Sequence, residues 1–477
     1  MLDINFLDED QQAAVRVPFG VTKVDAGAGT GKTTTFTYKI MHLIDEEGLF
    51  PSSIVAVTFT NKAAREIKDR LEALIGEDAS QVRMGTFHGL CLRMLRKHYT
   101  LAGLQSPSFM PADDDEAKEL MNRAVENSGV LGKFEAAPQA ADESDAVYKA
   151  RVKADEKEYA KRLKLYQKEA YEQISRWKEC GLHIEDALAG LDDADQGRKE
   201  FILIYSEYQD LLSERNLLDF SDLILRMVYI LEKYPDIAEQ ESKKIRYMLV
   251  DEFQDVNMLQ WRLIRALTAY HGNIFGVGDF DQSLYSFRAS APQIFDLLGE
   301  IADHHITLKT NRRCTQSILD TANMLVDVNS RKTPKVLNSN REGAGFEYKN
   351  AANEFAEAKM VAQYVKDRLA EGVSEDQIAV IVRSRFLFSP IEKEMIKAGI
   401  PYTLLGSNSI LETIEIKDIL SFLKLAVDPY NDIAFSRIAN KPVRGLGPTA
   451  LNEIVTYANS EFIPMYDACM ALADGTS

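Results

Sequence analysis

Cysteine is scarce: Cys91, Cys180, Cys314 and Cys469 are scattered through 477 residues, and no two form a CxxC pair. That spacing argues against a disulfide framework or a structural zinc site and points to a reducing compartment. Excess basic charge is missing as well. Asp and Glu number 73 against 56 Lys and Arg, for a formal charge of -17. This speaks against a polybasic nucleic-acid coat but leaves local basic grooves open, because phosphate affinity depends on where the cations sit. Nowhere does an apolar run reach the ~18 residues a membrane helix needs. The start, Met1-Leu2-Asp3-Ile4, has neither the basic head nor the apolar stretch of a secretory leader. The expectation is a soluble, cytoplasmic chain with no membrane partner. Internal repeats and low-complexity tracts are also absent.

What remains is an ordinary globular composition, 45% hydrophobic and 27% charged, in a chain too long for one core. Residues 1–110 alternate short apolar runs with amphipathic stretches. Thr22-Lys23-Val24 and Ile54-Val55-Ala56-Val57 read as strands, Thr34 to Ile44 and Ala63 to Ile75 as helices. Such alternation predicts a parallel sheet covered by helices. From about Pro111 to Gly190 the pattern turns helical, with Tyr148 to Lys178 as a long surface helix or helical pair. Strand signals return at Tyr247-Met248-Leu249-Val250 and Ile274-Phe275-Gly276-Val277. The prediction is one α/β core (1–110 and 191–300) interrupted by a helical subdomain (111–190). A second α/β region would occupy 301–415, with Ile378-Ala379-Val380-Ile381-Val382 as its clearest strand, followed by helices over 416–477.

Two segments carry recognisable chemistry. Ala26-Gly27-Ala28-Gly29-Thr30-Gly31-Lys32-Thr33 follows a strand and opens a helix. In that setting glycines let backbone N–H groups close around phosphate, and the helix N-terminus adds a favourable dipole. Lys32 would reach the β- and γ-phosphates of ATP, and the Thr33 hydroxyl would hold Mg²⁺. Ala26 stands where the usual pattern has Gly. The second segment, Val250-Asp251-Glu252-Phe253-Gln254-Asp255, also follows a strand. Phosphoryl transfer needs one carboxylate near the metal and one group on water; Asp251 suits the first role and Glu252 the second. Taken alone, adjacent acids there could equally form a solvated turn. Both segments, with Thr58-Phe59-Thr60-Asn61 and Gly278-Asp279, fall at predicted strand ends, where open α/β sheets bind ligands.

Residues 1 to about 460 resemble a UvrD/Rep/PcrA-type superfamily-one DNA helicase, motif by motif. The segments are Leu7-Asp8-Glu9-Asp10-Gln11-Gln12, Val57-Thr58-Phe59-Thr60-Asn61-Lys62, Gly85-Thr86-Phe87-His88 and Leu218-Asp219-Phe220-Ser221-Asp222. They continue with Gly278-Asp279-Phe280-Asp281-Gln282-Ser283-Leu284-Tyr285-Ser286-Phe287-Arg288 and Asn311-Arg312-Arg313-Cys314. The resemblance implies RecA-like P-loop cores, each interrupted by a helical insertion. It implies that Gln11 reads adenine, Gln282 senses the γ-phosphate, and Arg313 delivers positive charge to it. Arg312 stands where the family usually has an adenine-stacking Tyr, and Thr34 where relatives often carry Arg. Thr58, Thr60, Asn61, His88, Tyr285, Phe287 and Arg288 would contact single-stranded DNA, with Phe287 in place of the usual Trp. Stacking on such aromatics is tolerant of base identity, which suits a sequence-independent motor.

The implied activity is ATP-dependent 3′-to-5′ movement on single-stranded DNA with unwinding at junctions, by a monomer serving repair, replication or recombination. The family's last two motifs, a His/Lys-Gly-Leu-Glu signature and a second Arg-rich segment, do not occur before Ser477, so the expectation is a fragment or a truncated product. Two other readings stay open: a DNA-binding regulator switched by nucleotide without unwinding, or the motor subunit of a helicase-nuclease or defence complex.

Overall fold

Strands covered on both faces must be apolar at every position, and the runs at 54–57 and 247–250 are. In the computed structural model they lie inside a sheet. The structure describes residues 4–473 apart from 108, 133, 141–142, 190–195, 284–292, 329–334, 406–413, 428, 430, 448–449, 452, 455–456 and 459–462. It divides into two units, Met1–Phe346 and Glu347–Ser477.

The strands of the first unit are β1 (Val21–Ala26), β2 (Ile54–Val57), β3 (Arg83–Gly85), β4 (Met110–Pro111), β5 (Leu217–Leu218), β6 (Tyr247–Val250), β7 (Ile274–Gly278) and β8 (His304–Leu308). Its helices are α1 (Glu9–Arg16), α2 (Lys32–Asp45), α3 (Asn61–Ile75), α4 (Phe87–Lys97), α5 (Asp114–Asn127), α6 (Asp145–Glu179), α7 (Ile184–Ala189), α8 (Gln196–Glu214), α9 (Phe220–Lys233), α10 (Pro235–Lys243), α11 (Met258–Thr268), α12 (Gln293–Glu300) and α13 (Gln316–Val326).

Six strands form one parallel sheet in the order β3-β2-β6-β7-β1-β8. Val57 lies opposite both Gly85 and Val250, Asp25 opposite Gly278, and Ala26 opposite Leu308. The carboxyl ends therefore finish together on one edge. Period-two alternation divides the side chains between two cores. Val55, Val57, Met248 and Val250 pack on one face with residues of α4, α9 and α11. Ile54, Ala56, Tyr247, Leu249 and Val277 pack on the other with residues of α2 and α3. Each buried Val or Leu stabilises the core by about 1.5–3 kcal/mol relative to exposure.

Helices α5 to α8 form a separate layer, entered and left beside a two-stranded ladder that pairs Met110 with Leu217 and Pro111 with Leu218. Lys178 of α6, fully buried, ties this layer to the start of α9 through Asp219 at 2.6 Å and Asp222 at 2.9 Å. Burial and the neighbouring Asp222 charge raise the Asp219 carboxyl above its ordinary range. For Asp222 burial acts in the same direction, but the Lys178 and Arg226 charges outweigh it and hold the carboxyl low.

Three expectations need correcting. The helical layer runs past 190, because α8 packs on α5, α6 and α7, with Ile202, Tyr205, Tyr208 and Leu212 buried. The first sheet runs past 300, because β8 pairs with β1. Finally, Ile378–Val382 forms no strand. Its backbone has no neighbouring strand among the described residues to take its N–H and C=O groups, and Ile381 is 92% exposed. The second unit is helical as described: α14 (Glu354–Ala370) and α15 (Phe388–Ala398) bury Ala362, Val365, Met395 and Ile400. There α16 (Ile414–Val427) packs with α17 (Asp432–Ile438), and Phe435, Ala439, Met465 and Ala468 share a small core. Among the described residues no helix is long and apolar enough to cross a membrane.

Candidate nucleotide site

The loop between β1 and α2 turns on two glycines in the left-handed region, Gly29 (φ +71°) and Gly31 (φ +84°). A side chain at Gly29 would also collide with its surroundings, its Cβ falling 2.6 Å from Asn311 Nδ2 and 2.8 Å from Arg313 Cβ. The loop is thus gripped by the segment after β8. Asn311 Nδ2 donates to the Ala28 carbonyl at 2.6 Å, and Arg312 N donates to the Gly29 carbonyl at 2.8 Å. Asn311 Oδ1 accepts from Arg313 N at 2.8 Å and so fixes where the Arg313 side chain begins.

Lys32, the first residue of α2, donates from Nζ to Glu252 Oε2 at 2.7 Å and to Gln282 Oε1 at 3.4 Å. Glu252 reaches it from an uncommon backbone. β6 ends at Val250, Asp251 N donates to the Val57 carbonyl, and Glu252 then takes φ +48°. A non-glycine residue there costs about 1–2 kcal/mol, strain of a kind that collects at functional sites. The groups surround a cavity of about 400 Å³ lined by Ala28, Gly29, Gly31, Lys32, Thr33, Thr34, Arg70, Glu252, Gln282, Arg312 and Arg313.

Asp251 is buried, and its Oδ1 has no hydrogen-bond partner. Burial first, then the Glu252 charge, push its carboxyl up to about 6. A carboxylate left so is suited to a divalent cation. The donor set, the buried Asp251 carboxylate next to cavity-lining Glu252 and the Thr33 hydroxyl in the cavity wall, fits Mg²⁺, which takes few protein ligands and completes its shell with phosphate and water. No cluster of three or more His, Cys, Asp or Glu that could hold a metal by itself occurs among the described residues.

Residues 7–302 match the family model for the UvrD/REP helicase N-terminal domain, and residues 306–470 match that for the UvrD-like helicase C-terminal domain. The chain belongs to the UvrD-like helicase family. It is similar to the ATP-dependent DNA helicase PcrA of Staphylococcus aureus, 32% identical over 471 residues that cover 98% of this chain and 60% of the relative. The PcrA helicase of Staphylococcus epidermidis is also 32% identical, over 472 residues covering 97% and 59% of the two chains. The chain thus spans about 60% of the length of these relatives.

Of the expected nucleotide contacts of this UvrD-like chain, Ala26, Gly27, Thr30 and Gln11 sit behind the cavity wall, while Arg312 lines it. Ala26 is buried as the last residue of β1, Gly27 packs under Leu337, and the Thr30 hydroxyl donates to the Gly27 carbonyl at 2.8 Å. These three shape the loop from behind. Gln11 is buried: its Nε2 donates to the Thr30 carbonyl at 2.9 Å, and its Oε1 accepts from Asp8 N at 3.2 Å. Arg312 pairs with Asp8 at 3.1 Å on the surface.

The DNA candidates lie along the ends of β2 and β3, which Thr58 N joins by donating to the Gly85 carbonyl at 3.0 Å. Thr58 is buried and its hydroxyl donates to the Thr60 carbonyl, so this side chain faces inward and not toward a ligand. Thr60 and Asn61 are exposed. His88 stacks on Phe220 with ring centroids 3.7 Å apart, and burial lowers its imidazole to about 4, so it is neutral near pH 7. Tyr285, Phe287 and Arg288 lie outside the described residues. Gln254, Asp279 and Phe220 sit inside motifs visible in the sequence, but their contacts follow from the fold and not from the motifs. Arg70 and Lys335 gave no local signal at all.

Proposed function

We propose that this chain binds ATP with Mg²⁺ at the Ala28–Thr33 loop and hydrolyses it to drive 3′-to-5′ movement on single-stranded DNA, unwinding duplex at single-strand/duplex junctions. The convergence of Lys32, Glu252, Gln282 and Arg313 on one cavity carries this reading. A γ-phosphate entering there offers Lys32 a stronger partner than Glu252, leaving the Glu252 carboxylate to accept a proton from water. Asp251 and Thr33 would hold Mg²⁺, which when bound neutralises charge on the phosphoryl oxygens. Gln282 would report the γ-phosphate, and Arg313 would stabilise charge as the bond breaks. Gln11 keeps one amide hydrogen and one lone pair beyond its present bonds, the pair of groups adenine presents a match for. Thr34 and Arg312 would border the base, with the guanidinium plane in place of an aromatic ring.

Thr60, Asn61 and the His88–Phe220 stack offer a DNA track along the same sheet edge, which Tyr285, Phe287 and Arg288 would extend. The helices between β4 and β5 are the inserted subdomain of the first core; residues 347–415 would contribute to the second core and 416–477 to its own insertion. The chain works as a cytoplasmic monomer on this reading. A nucleotide-switched DNA-binding subunit would share every feature except turnover. ATP turnover by the parent chain separates the two, and Glu252→Gln then tests the site: calorimetric ATP affinity should stay within about threefold while turnover falls by roughly 10²–10⁴. A variant that hydrolyses ATP at the parent rate would remove Glu252 as the group acting on water.

A further inference from the structure

Lys335 is buried, lies outside every motif described above, and stands between two carboxylates. Its Nζ lies 2.7 Å from Asp25 Oδ1, at the end of β1, and 2.5 Å from Asp279 Oδ1, just past the end of β7. Burial alone would lower the amine's affinity for its proton; the two carboxylates reverse this and raise it, so the group is a fixed cation.

Asp279 belongs to a closed ring of hydrogen bonds around the phosphate space, joining it through its backbone N–H on one side and its carboxylate on the other. Lys32 Nζ donates to Glu252 Oε2 at 2.7 Å, and the same oxygen accepts from Gln254 Nε2 at 2.9 Å. Gln254 Oε1 accepts from Asp279 N at 2.9 Å. Asp279 Oδ2 then accepts from Gln282 Nε2, and Gln282 Oε1 returns to Lys32 Nζ at 3.4 Å. The orientation of the Gln282 amide therefore depends on where the Asp279 carboxylate points, and Lys335 holds that carboxylate's other oxygen.

The chain just after Lys335 reaches the opposite side of the site. Leu337 packs over Gly27, where an added Cβ would come within 2.6 Å of Leu337 Cδ2. The Asn338 carbonyl accepts from Asn311 N at 2.7 Å, and Asn338 N donates to the Lys309 carbonyl at 3.1 Å. Asn311 is the residue that braces Arg313. A segment four residues long thus touches the Gln282 ring at one end and the Arg313 loop at the other.

We propose that Lys335 is a positioning residue for γ-phosphate recognition: it fixes Asp279 so that Gln282 faces Lys32, and it ties that arrangement to the segment bearing Arg313. This rests on the nucleotide-hydrolysis reading above and adds a residue to it. A lysine that merely neutralises two buried acids would affect all nucleotides alike; a lysine that orients Gln282 affects only those with a γ-phosphate.

Equilibrium binding of ADP and of a non-hydrolysable ATP analogue, with Mg²⁺, distinguishes these roles in the parent chain, Lys335→Met and Lys335→Arg. The Met variant should leave ADP affinity within about twofold and weaken the analogue roughly tenfold, the scale of one lost hydrogen bond to a charged group. The Arg variant, which keeps the cation, should recover most of that loss. Equal affinities in parent and Met variant, or parallel weakening of ADP and analogue, would overturn the proposal. Should Lys335→Met fail to fold, Lys335→Met with Asp25→Asn restores the charge balance, and the same two outcomes decide. A parent chain that binds neither nucleotide would instead refute the hydrolysis reading itself, and this role with it.

Discussion

Asp251 shows what the proposed nucleotide site costs its own fold. Burial and the adjacent Glu252 raise its carboxyl from 3.8 to about 6. An acid raised on folding takes up a proton as the chain folds, so its stabilising contribution is full below about pH 4 and is lost as pH rises through 6. Above that window the metal-free protein carries a buried carboxylate with one oxygen unpaired, a charge that the Lys32 amine and the Glu252 N–H offset only in part, at a net cost of about 3 kcal/mol. Asp251→Asn should therefore melt higher than the parent without Mg²⁺ at pH 8, with the gap closing toward pH 4 and Mg²⁺-dependent ATP turnover lost. A lower melting temperature at pH 8 would contradict this. At this scale the sequence was legible where chemistry is contiguous: Lys32, Glu252 and Gln282 each stand in a short motif, and all three meet. It was illegible where contacts span the chain, as for Lys335 and Asp25, 310 positions apart. Nor could a motif show that Thr58 faces inward, since hydroxyl direction follows from the burial of the strand end.

Among the elements, α1 and α2 are joined by an amine. Lys39 of α2 is fully buried and donates to the carbonyls of Val15 at 3.1 Å and Val17 at 2.7 Å, at the end of α1. Burial lowers it from 10.5 to about 8, partly opposed by Glu47. A neutral amine still has two N–H groups for these two carbonyls, so deprotonation removes a buried charge and keeps both bonds. A base lowered on folding releases its proton, and stability from this group rises as pH climbs from about 8 toward 10.5. Unfolding free energies from urea titration of parent and Lys39→Met should diverge in the parent's favour by about 2 kcal/mol between pH 8 and pH 10; a constant difference would count against the account. Because α1 also carries Gln11, which holds the Thr30 carbonyl, this contact bears on the nucleotide loop. Elements buried on both faces, such as β2 and β6, were readable from composition alone. Ile378–Val382 has the same composition and forms no strand, because apolar character does not supply a partner ladder.

At the scale of the molecule, the order β3-β2-β6-β7-β1-β8 brings together strand ends that are hundreds of residues apart in sequence. The sequence indicated that several motifs follow strands; that those strands share one sheet and one edge is a fact of topology that periodicity does not encode. The helical interruption was visible as a change of composition, but its end was not, since the charge-rich stretch ends near Lys178 whereas α8 is assigned to this layer only by its packing on α5. The central claim is that the cavity beside Lys32 and the exposed residues along the ends of β2 and β3 belong to one machine, in which DNA contact speeds ATP turnover. Steady-state ATP hydrolysis by this chain, titrated with single-stranded oligonucleotide and repeated with Lys32→Ala, tests it most directly. The account predicts a saturable rise in rate with DNA that Lys32→Ala abolishes; a rate indifferent to DNA, or undiminished by Lys32→Ala, would contradict it.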